Sequence, residues 1–478
     1  MMSQYLRLKE KYGDCLLFFR LGDFYEMFFE DALTASRELE IVLTGRDCGL
    51  EERAPMCGVP YHAVDSYIAK LIDKGYKVAL CEQITDPALS KGLVERDVVR
   101  IYTAGTIIEE SMLDERANNY IVSLYYFDGG VGLACSDVST GGFSVMEFQG
   151  EGMQQALFDE LVRISPNEII ANDSLFVQEP LVKRIQGAYR IHCEDGRNFE
   201  PAKAEARLLR HFNISSLASF GCDRMSLVVP ASGALMAYLE ETQKNSLAHI
   251  RKISVTRRSL FMALDAATRR NLELTKPLHF EGSRRSTLLY LLDKTETAMG
   301  ARLLRAWIEQ PLQNIDEIEG RLDAVGELVS NLQSREALGA ALDSIYDIER
   351  LCSRIAYGTV NARDCVALRA SLEKLPGIME LTGKLHAAAY GRIASRLDAM
   401  EDIRALLDDA IVDEPPVGVK DGGIIKTGYH AEVDQLREAS SNGKDWIARM
   451  EADERAATGI RNLKIGYNRV FGYYIDVT

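Results

Sequence analysis

The chain has 478 residues, of which 47% are hydrophobic and 27% are charged, and this composition is typical of a globular protein with several hydrophobic cores. It contains no run of about 18 apolar residues, and its charged N-terminus lacks an apolar signal segment, so neither a transmembrane helix nor export is expected. The formal net charge of −15 argues against a general binder of polyanions.

The cysteines and histidines give no sign of a metal site or of a disulfide framework. Nine Cys are scattered along the chain without a C-x-x-C pair, and the seven His are equally dispersed. An odd number of separated cysteines without an export signal predicts reduced thiols in the cytosol. We therefore expect a cytoplasmic protein without a bound metal.

Residues 1–113 have the pattern of a mixed α/β domain. The predicted elements are a helix at about 3–12, strands at 15–20 and 23–29, helices at 30–40 and from Asp65, and strands in KVALCEQI and ERDVVRIYTAGT. Between the second and third helices lies a loop punctuated by Pro and Gly, RAPMCGVPYH.

The stretch GDFYE begins with Gly22, which we place in the turn between the first two strands. Alternation along the second strand sends Phe24 and Glu26 to one face, and Tyr25 and Met27 to an apolar face that indicates the core. Taken alone, the pattern favours a buried Phe24 and a Glu26 charge on an edge strand, where charge prevents aggregation.

Residues 114–240 indicate a second α/β domain, because three strands joined by Gly-rich turns are followed by a helix and a short strand. Asp137 ends the second of these strands, where ribonuclease-H-like folds hold a metal-binding carboxylate. Such chemistry needs at least two converging carboxylates, and Glu160 and Glu168 lie in no recognisable partner motif. A turn-capping Asp137 is the simpler interpretation.

Long helical patterns dominate residues 241–430, and residues 431–478 add a helix and a strongly β-patterned hairpin, LKIGYNRVFGYYIDVT. Because the chain stops directly after a strand, we expect that it is truncated. Residues 251–285 carry nine Lys/Arg against three acids. This basic run predicts a solvated or ion-paired surface, or a face that contacts DNA or a protein.

Local motifs indicate no catalytic centre. The phosphate-binding motif G-x-x-x-x-G-K-[ST] is absent, since the Gly-Lys pairs at 383–384 and 443–444 lack the following Ser/Thr. Neither G-x-S-x-G nor the D-[ST]-G core of aspartic proteases is present. ATP hydrolysis is therefore not expected of this chain.

Several long motifs, in order, resemble one family. The segments LLFFRLGDFYEMFFEDALTASRELEIVLTGRD and APMCGVPYHAVDSYIAKLIDKGYKVALCEQITDP are similar to the N-terminal domain of the MutS family of DNA mismatch-repair proteins. LDAATRRNLEL, LLDKTETAMGARLLRAWIEQPL and the final hairpin resemble the family's core and clamp. The resemblance implies a multidomain α/β plus all-α fold: a mismatch-binding domain at 1–113, a ribonuclease-H-like connector at 114–240, a helical core and lever at 241–430, and a lever helix with the start of a β-rich clamp at 431–478.

The resemblance also implies a role for individual residues. Phe24 would enter the minor groove and stack on a mispaired or unpaired base, Glu26 would hydrogen-bond that base, and Met56 would pack beside the wedge. Unstacking a base step costs a few kcal/mol, and less where pairing is already defective, so mismatched sites are favoured. Contacts to the DNA backbone are implied for Lys464, Asn468 and Arg469 in the clamp.

The function that the resemblance implies is recognition of mismatched or unpaired bases in double-stranded DNA, which initiates mismatch repair. The family acts as a homodimer near the nucleoid, works with a MutL-type protein, and binds ATP and Mg²⁺ in a C-terminal ATPase domain. We expect no enzyme activity and no cofactor of this chain itself. Two alternatives stay open: a metal-dependent nuclease centred on Asp137, and a non-catalytic scaffold that docks through residues 251–285.

Overall fold

The protein forms two compact units in the computed structural model. One unit comprises Met1–Val360 and Lys374–Leu397, and the other comprises Asn361–Glu373 and Asp398–Thr478. The structure describes residues 1–47, 53–84, 94–222, 225–278, 284–416, 418–441, 443–468 and 472–477. Within these residues, no helix combines the length and apolar composition that crossing a membrane requires.

The first unit begins with a six-stranded sheet and three helices. Its elements are α1 (Met2–Lys11), β1 (Cys15–Leu21), β2 (Phe24–Phe28), α2 (Phe29–Leu39), β3 (Thr44–Arg46), β4 (Ala54–Pro60), α3 (Val64–Asp73), β5 (Lys77–Gln83) and β6 (Arg96–Tyr102). The strand order is β3-β4-β2-β1-β5-β6, and only the β1–β5 pair among these is parallel. The predicted helices and strands of this region are confirmed. The predicted loop RAPMCGVPYH is wrong, because Ala54–Pro60 forms β4 and pairs with both β2 and β3.

Both faces of this sheet are covered by helices, and alternation along β1 supplies both cores. Leu17 and Phe19 pack with Tyr5 of α1 on one face. Leu16 and Phe18 pack on the other face with α2 and α3. Burial on both sides explains why CLLFF is a continuous apolar run rather than an alternating one.

A second six-stranded sheet follows in the same unit. Its elements are β7 (Tyr120–Phe127), β8 (Gly130–Asp137), β9 (Gly142–Phe148), α4 (Met153–Ile164), β10 (Glu168–Ala171), α5 (Asp173–Phe176), α6 (Glu179–Gln186), β11 (Ile191–Cys193), α7 (Pro201–Phe212), α8 (Val228–Gln243) and β12 (Ser254–Val255). The order is β11-β10-β7-β8-β9-β12, in which β7, β8 and β9 form an antiparallel meander. The three predicted strands with Gly-rich turns are thus confirmed.

The helix α8 lies directly on this sheet. Gly132 on β8 has no side chain, and a Cβ added there would lie 1.9 Å from the carbonyl oxygen of Leu227, just before α8. Leu235 and Met236 of α8 are fully buried in the core beneath. A helix that is apolar on all sides is buried rather than amphipathic, so this segment belongs to the second sheet.

Helices make up most of the remaining chain: α9 (Ala266–Asn271), α10 (Leu288–Leu292), α11 (Ala298–Glu309), α12 (Ile315–Ser330), α13 (Leu332–Asp343), α14 (Ile348–Tyr357), α15 (Ala362–Gly383), α16 (Ala388–Ala394), α17 (Glu401–Ala410), α18 (Ala431–Ser441) and α19 (Gly443–Thr458). Several of them start at side chains that accept a hydrogen bond from the third helical N–H, at Thr297, Asn314, Asn331 and Asp347. These caps satisfy donors that the helix itself leaves unpaired.

The second unit contains a two-stranded antiparallel sheet of β13 (Leu463–Asn468) and β14 (Gly472–Val477). This confirms the predicted hairpin. Arg369, largely buried, donates to the Asp413 carboxylate at 2.7 Å and to the carbonyl oxygen of Ile411 at 3.3 Å. Arg455 donates to the carbonyl oxygen of Leu463 at 2.6 Å, which fixes the start of β13 against α19.

Candidate nucleic-acid interface

Phe24 is an exposed aromatic residue on an interior strand. It follows the turn at Gly22, which has a φ of +60°, and lies opposite Leu21 on β1 and Pro60 on β4. Its side chain is 47% exposed, whereas Phe28 on the same face of β2 is fully buried under α1. The helix covers only one end of this face. The interpretation of Phe24 as a core residue is therefore wrong.

Glu26 lies two residues further on the same face. Its Oε2 atom is 2.6 Å from Nη1 of Arg46, which lies on β3, and the Glu26 side chain is 18% exposed. Gly58, directly opposite on β4, has no side chain, and a Cβ there would lie 3.5 Å from Cγ of Glu26. Because β2 pairs with β1 and β4, the interpretation of Glu26 as an edge-strand charge is wrong.

Met56 lies on β4 opposite Phe28, and therefore on the same sheet face as Phe24 and Glu26. It is half-buried and packs against the cluster that contains Tyr5 and Phe28. The structure thus brings the three predicted residues to one face, with Met56 at the covered end and Phe24 at the open end.

A second exposed aromatic residue, Tyr61, lies at the same end of the sheet but contacts Arg20, which is opposite Tyr25 and therefore on the other face. It follows Pro60, is 45% exposed, and donates its backbone N–H to the carbonyl oxygen of Asp23 at 3.0 Å. The guanidinium carbon of Arg20 lies 4.0 Å from the centroid of the Tyr61 ring. No sequence motif singled out Arg20 or Tyr61. The signal that could have found them is their placement at the two strand ends nearest GDFYE.

The guanidinium of Arg20 also contacts Glu82 and Tyr25. Its Nη1 atom lies 3.7 Å from Oε1 of Glu82, and its guanidinium is also 5.2 Å from the ring of Tyr25. Tyr25 donates its hydroxyl to Glu82, and burial together with this hydrogen bond raises the pKa of Tyr25 well above its usual value. The guanidinium of Arg20 beside Tyr61 is therefore held in place by Glu82 and Tyr25.

The predicted backbone contacts lie in the second unit. Lys464 is exposed on β13, opposite Asp476 on β14. Asn468 ends β13 opposite Gly472, and Arg469 lies outside the described residues. A role of these residues in binding DNA stays a prediction.

Asp137, the residue on which the nuclease alternative depends, is buried in a turn. Its Oδ1 accepts from the backbone N–H and the hydroxyl of Ser139, at 2.9 and 2.7 Å, and its Oδ2 accepts from Asn118 Nδ2 at 2.7 Å. The turn-capping interpretation is confirmed.

The other two carboxylates of the nuclease alternative are occupied as well. Glu160 pairs with Arg163, at 2.8 Å from its Nε atom. Glu168 accepts from the hydroxyl of Tyr238 at 2.6 Å and the N–H of Gly105 at 3.0 Å. In the described ranges, no group of three or more His, Cys, Asp or Glu residues could hold a metal ion. No observation favours nuclease chemistry.

Three family models match successive parts of the chain: MutS domain I over residues 1–111, MutS domain II over 119–251 and MutS domain III over 267–463. The chain belongs to the MutS family. This confirms the resemblance found in the sequence, and the mixed α/β and helical content of the structure agrees with MutS domains I to III.

Similar proteins are named DNA mismatch repair protein MutS. That of Acetivibrio thermocellus is 50% identical over 480 residues, an alignment that covers 100% of this chain and 55% of the relative. That of Ruminiclostridium cellulolyticum is 51% identical, with 100% and 54% covered, and that of Symbiobacterium thermophilum is 48% identical, with 100% and 55% covered. The chain spans about half the length of the curated MutS relatives it matches.

Proposed function

We propose that this chain recognises mismatched or unpaired bases in double-stranded DNA and thereby takes part in initiating mismatch repair. The observation that carries the proposal is the Phe24 ring, 47% exposed at the open end of an interior strand, with Glu26 on the same face. An exposed apolar ring on a rigid strand is suited to wedging between bases. The names of the MutS relatives support the same function.

In this proposal Phe24 stacks on the defective base from the minor groove. A normal base pair must be unstacked and unpaired before it accepts the ring, whereas a mispaired base has already lost part of that stability. The difference in deformation free energy, rather than a readout of sequence, then selects the mismatch. Residues 1–113 hold 13 Lys/Arg against 19 Asp/Glu, a balance that suits weak affinity for intact duplex.

Glu26 supplies the polar contact in this proposal. A carboxylate near phosphates is unfavourable unless a base offers it a hydrogen-bond donor. The ion pair with Arg46 at 2.6 Å offsets that repulsion and fixes the direction of the carboxylate. Met56 supports β2 from the neighbouring strand and contacts the cluster beneath Phe28.

We extend the proposal to the other regions. Residues 114–240 would be a ribonuclease-H-like connector, which is supported by the meander β7-β8-β9 with β10 and β11 added in parallel beside β7. Residues 241–430 would form the helical core and lever. Residues 431–478 would be a lever helix and the start of a clamp, in which Lys464, Asn468 and Arg469 contact the DNA backbone.

For the whole protein we propose the family's assembly: a homodimer in which one subunit inserts Phe24, a MutL-type partner, and ATP with Mg²⁺ bound outside this chain. The support is the length of the relatives, of which the chain covers 55% in two of the three cases above, and the absence of a phosphate-binding motif from the sequence. We also propose a cytoplasmic, nucleoid-associated location.

The proposal predicts that the chain binds a duplex containing a G·T pair or an unpaired T more tightly than the matched duplex. The measurement is fluorescence anisotropy with labelled duplexes that differ only at the one site, at fixed salt, because nonspecific affinity depends strongly on salt. Equal affinity for the mismatched and matched duplexes by a folded chain would overturn the proposal.

Replacing Arg46 with Ala should weaken binding of the mismatched duplex about 2–5-fold, the effect of losing one partly exposed ion pair. The reason is that Glu26 then faces the phosphates without its 2.6 Å partner. The same substitution made in a Glu26→Ala background should have no further effect. Arg37→Ala, an exposed arginine on α2 that pairs with Glu38, is the control and should not change binding. A loss of equal size with and without Glu26 would show that Arg46 acts in another way.

A further inference from the structure

A cavity of about 1550 Å³ lies in the first unit, away from the open end of β2. Ten Lys/Arg and five Asp/Glu line it, in a chain whose formal net charge is −15. The cations come from separate parts of the sequence, including Arg163 at the end of α4, Arg269 and Arg270 on α9, Lys276 just after it, and Arg305 on α11. The lining therefore holds more cations than carboxylates, although Arg116, Arg163 and Arg302 are each paired with a carboxylate.

Two of these cations have no carboxylate partner among the described residues. The Nζ atom of Lys276 donates to the hydroxyl of Ser165 at 2.7 Å. The guanidinium of Arg269 donates to two backbone carbonyl oxygens, those of Leu264 at 3.1 Å and Glu309 at 2.7 Å. Both side chains are thus oriented by neutral acceptors, and the carboxylate of Glu309 in the same lining offsets only part of their charge.

A third cation, Arg305, adds to the excess of positive charge in the lining. The Nη1 atom of Arg305 lies 3.8 Å from Oε1 of Glu309, a long contact, and its Nε atom is buried without an acceptor. Burial and the charge of Arg305 lower the pKa of Lys276, and burial lowers the pKa of Arg269. Partly buried like charges repel each other, and the single carboxylate of Glu309 offsets this repulsion only in part.

We propose that this cavity binds a small phosphorylated anion of the pyrophosphate class, held by Lys276, Arg305 and Arg269. Arginine presents a planar fork of N–H donors that matches two phosphate oxygens, and lysine adds a point charge. The volume exceeds that of a typical small-molecule pocket, so a nucleotide-sized ligand has room. A continuous DNA strand is not the occupant, because strands are tracked by open grooves rather than by a concave cavity.

This site also accounts for part of the basic run at 251–285. Arg269, Arg270 and Lys276 line the cavity, whereas Lys252 and Arg257 of the same run are exposed elsewhere. The run is therefore not one uniform surface, and its two parts can be tested against each other.

The test is isothermal titration calorimetry of this chain with pyrophosphate at constant ionic strength. The wild type should give saturable binding. Lys276→Gln should raise Kd about tenfold or more, as expected for a lost charge-assisted hydrogen bond, and Arg305→Gln should do the same. Lys252→Gln removes one charge from the same run outside the cavity and should leave Kd unchanged. A circular-dichroism melt without anion checks that each variant is folded.

Three results of the titrations would overturn the inference, and a fourth comes from competition with DNA. They are the absence of saturable heat with the wild type, an equal loss of affinity in Lys252→Gln, and sulfate binding as tightly as pyrophosphate. A matched duplex that displaces pyrophosphate would assign the cavity to DNA instead, and would overturn it too. The experiment contains no mismatched DNA, so its failure leaves the proposed function untouched.

Discussion

Phe24→Ala should abolish the difference in affinity between a mismatched and a matched duplex. Stacking of a base on an aromatic side chain contributes about 1–3 kcal/mol, which corresponds to a loss of roughly 5–150-fold in affinity for the mismatched duplex. Affinity for the matched duplex should change little, because the ring does not enter an intact stack. Both values come from one anisotropy experiment with labelled duplexes.

The exposure of Phe24 provides the controls. A ring that is 47% exposed contributes little to folding, so Phe24→Ala should keep the thermal unfolding midpoint of the wild type. Phe127, which is 59% exposed on the second sheet, is a matched control, and Phe127→Ala should preserve discrimination. Phe24→Trp keeps a flat ring and should retain most of the discrimination between mismatched and matched duplexes. Full discrimination by Phe24→Ala would remove Phe24 from the proposed interface.

Arg302→Met should lower the free energy of unfolding of the first unit by ~3–5 kcal/mol, as expected when one partner of a buried ion pair is removed. Arg302, with a side chain 4% exposed, donates to both carboxylate oxygens of Asp347 at 2.6 and 2.8 Å and to Glu349 at 2.7 Å. It also donates to the carbonyl oxygen of Glu115 at 2.9 Å. Burial lowers the pKa of Arg302, but the hydrogen bonds to Asp347 and Glu349 outweigh it and hold the pKa above its usual value. Denaturant unfolding followed by circular dichroism measures the change.

The size of this effect depends on burial rather than on the presence of an ion pair. Lys183 pairs with Glu179 at 2.9 Å on α6, but the two side chains are 76% and 72% exposed. Lys183→Met should therefore leave the unfolding transition unchanged, because exposed pairs contribute little. Similar transitions for Arg302→Met and Lys183→Met would show that Asp347 finds another partner when Arg302 is absent.

The local patterns predicted four of the six strands of the first sheet, because hydrophobic periodicity acts over a few residues, but they missed β3 and β4, where Pro and Gly indicated a loop. Tyr25 and Met27 alternate into the core as expected, and Gly22 lies in the predicted turn. The interior position of β2 was beyond such reasoning, since it depends on pairing with β4, which follows only after α2 and β3. The exposure of Phe24 depends on where α1 ends over the sheet, which is again a tertiary property.

The same limit applies to the cationic cavity and to α8. The basic run was visible in the sequence, but the pairing of Lys276 with Ser165 and the approach of Arg305 join segments that are distant along the chain. The helix α8 lies at the end of the predicted second α/β domain, and no local pattern showed that it is buried against β8. The family resemblance, which rests on many motifs in order, indicated roles that local periodicity could not supply.

The interior position of β2 has a consequence for the rate of DNA recognition. A recognition residue on a mobile loop must lose backbone conformational entropy on binding, and this slows productive association. Phe24 is instead carried by backbone paired with β1 and β4 on both sides, so only its side chain is left to become ordered. The slow step would then be the bending of the DNA, and association should quicken on duplexes that are already flexible at the mismatch.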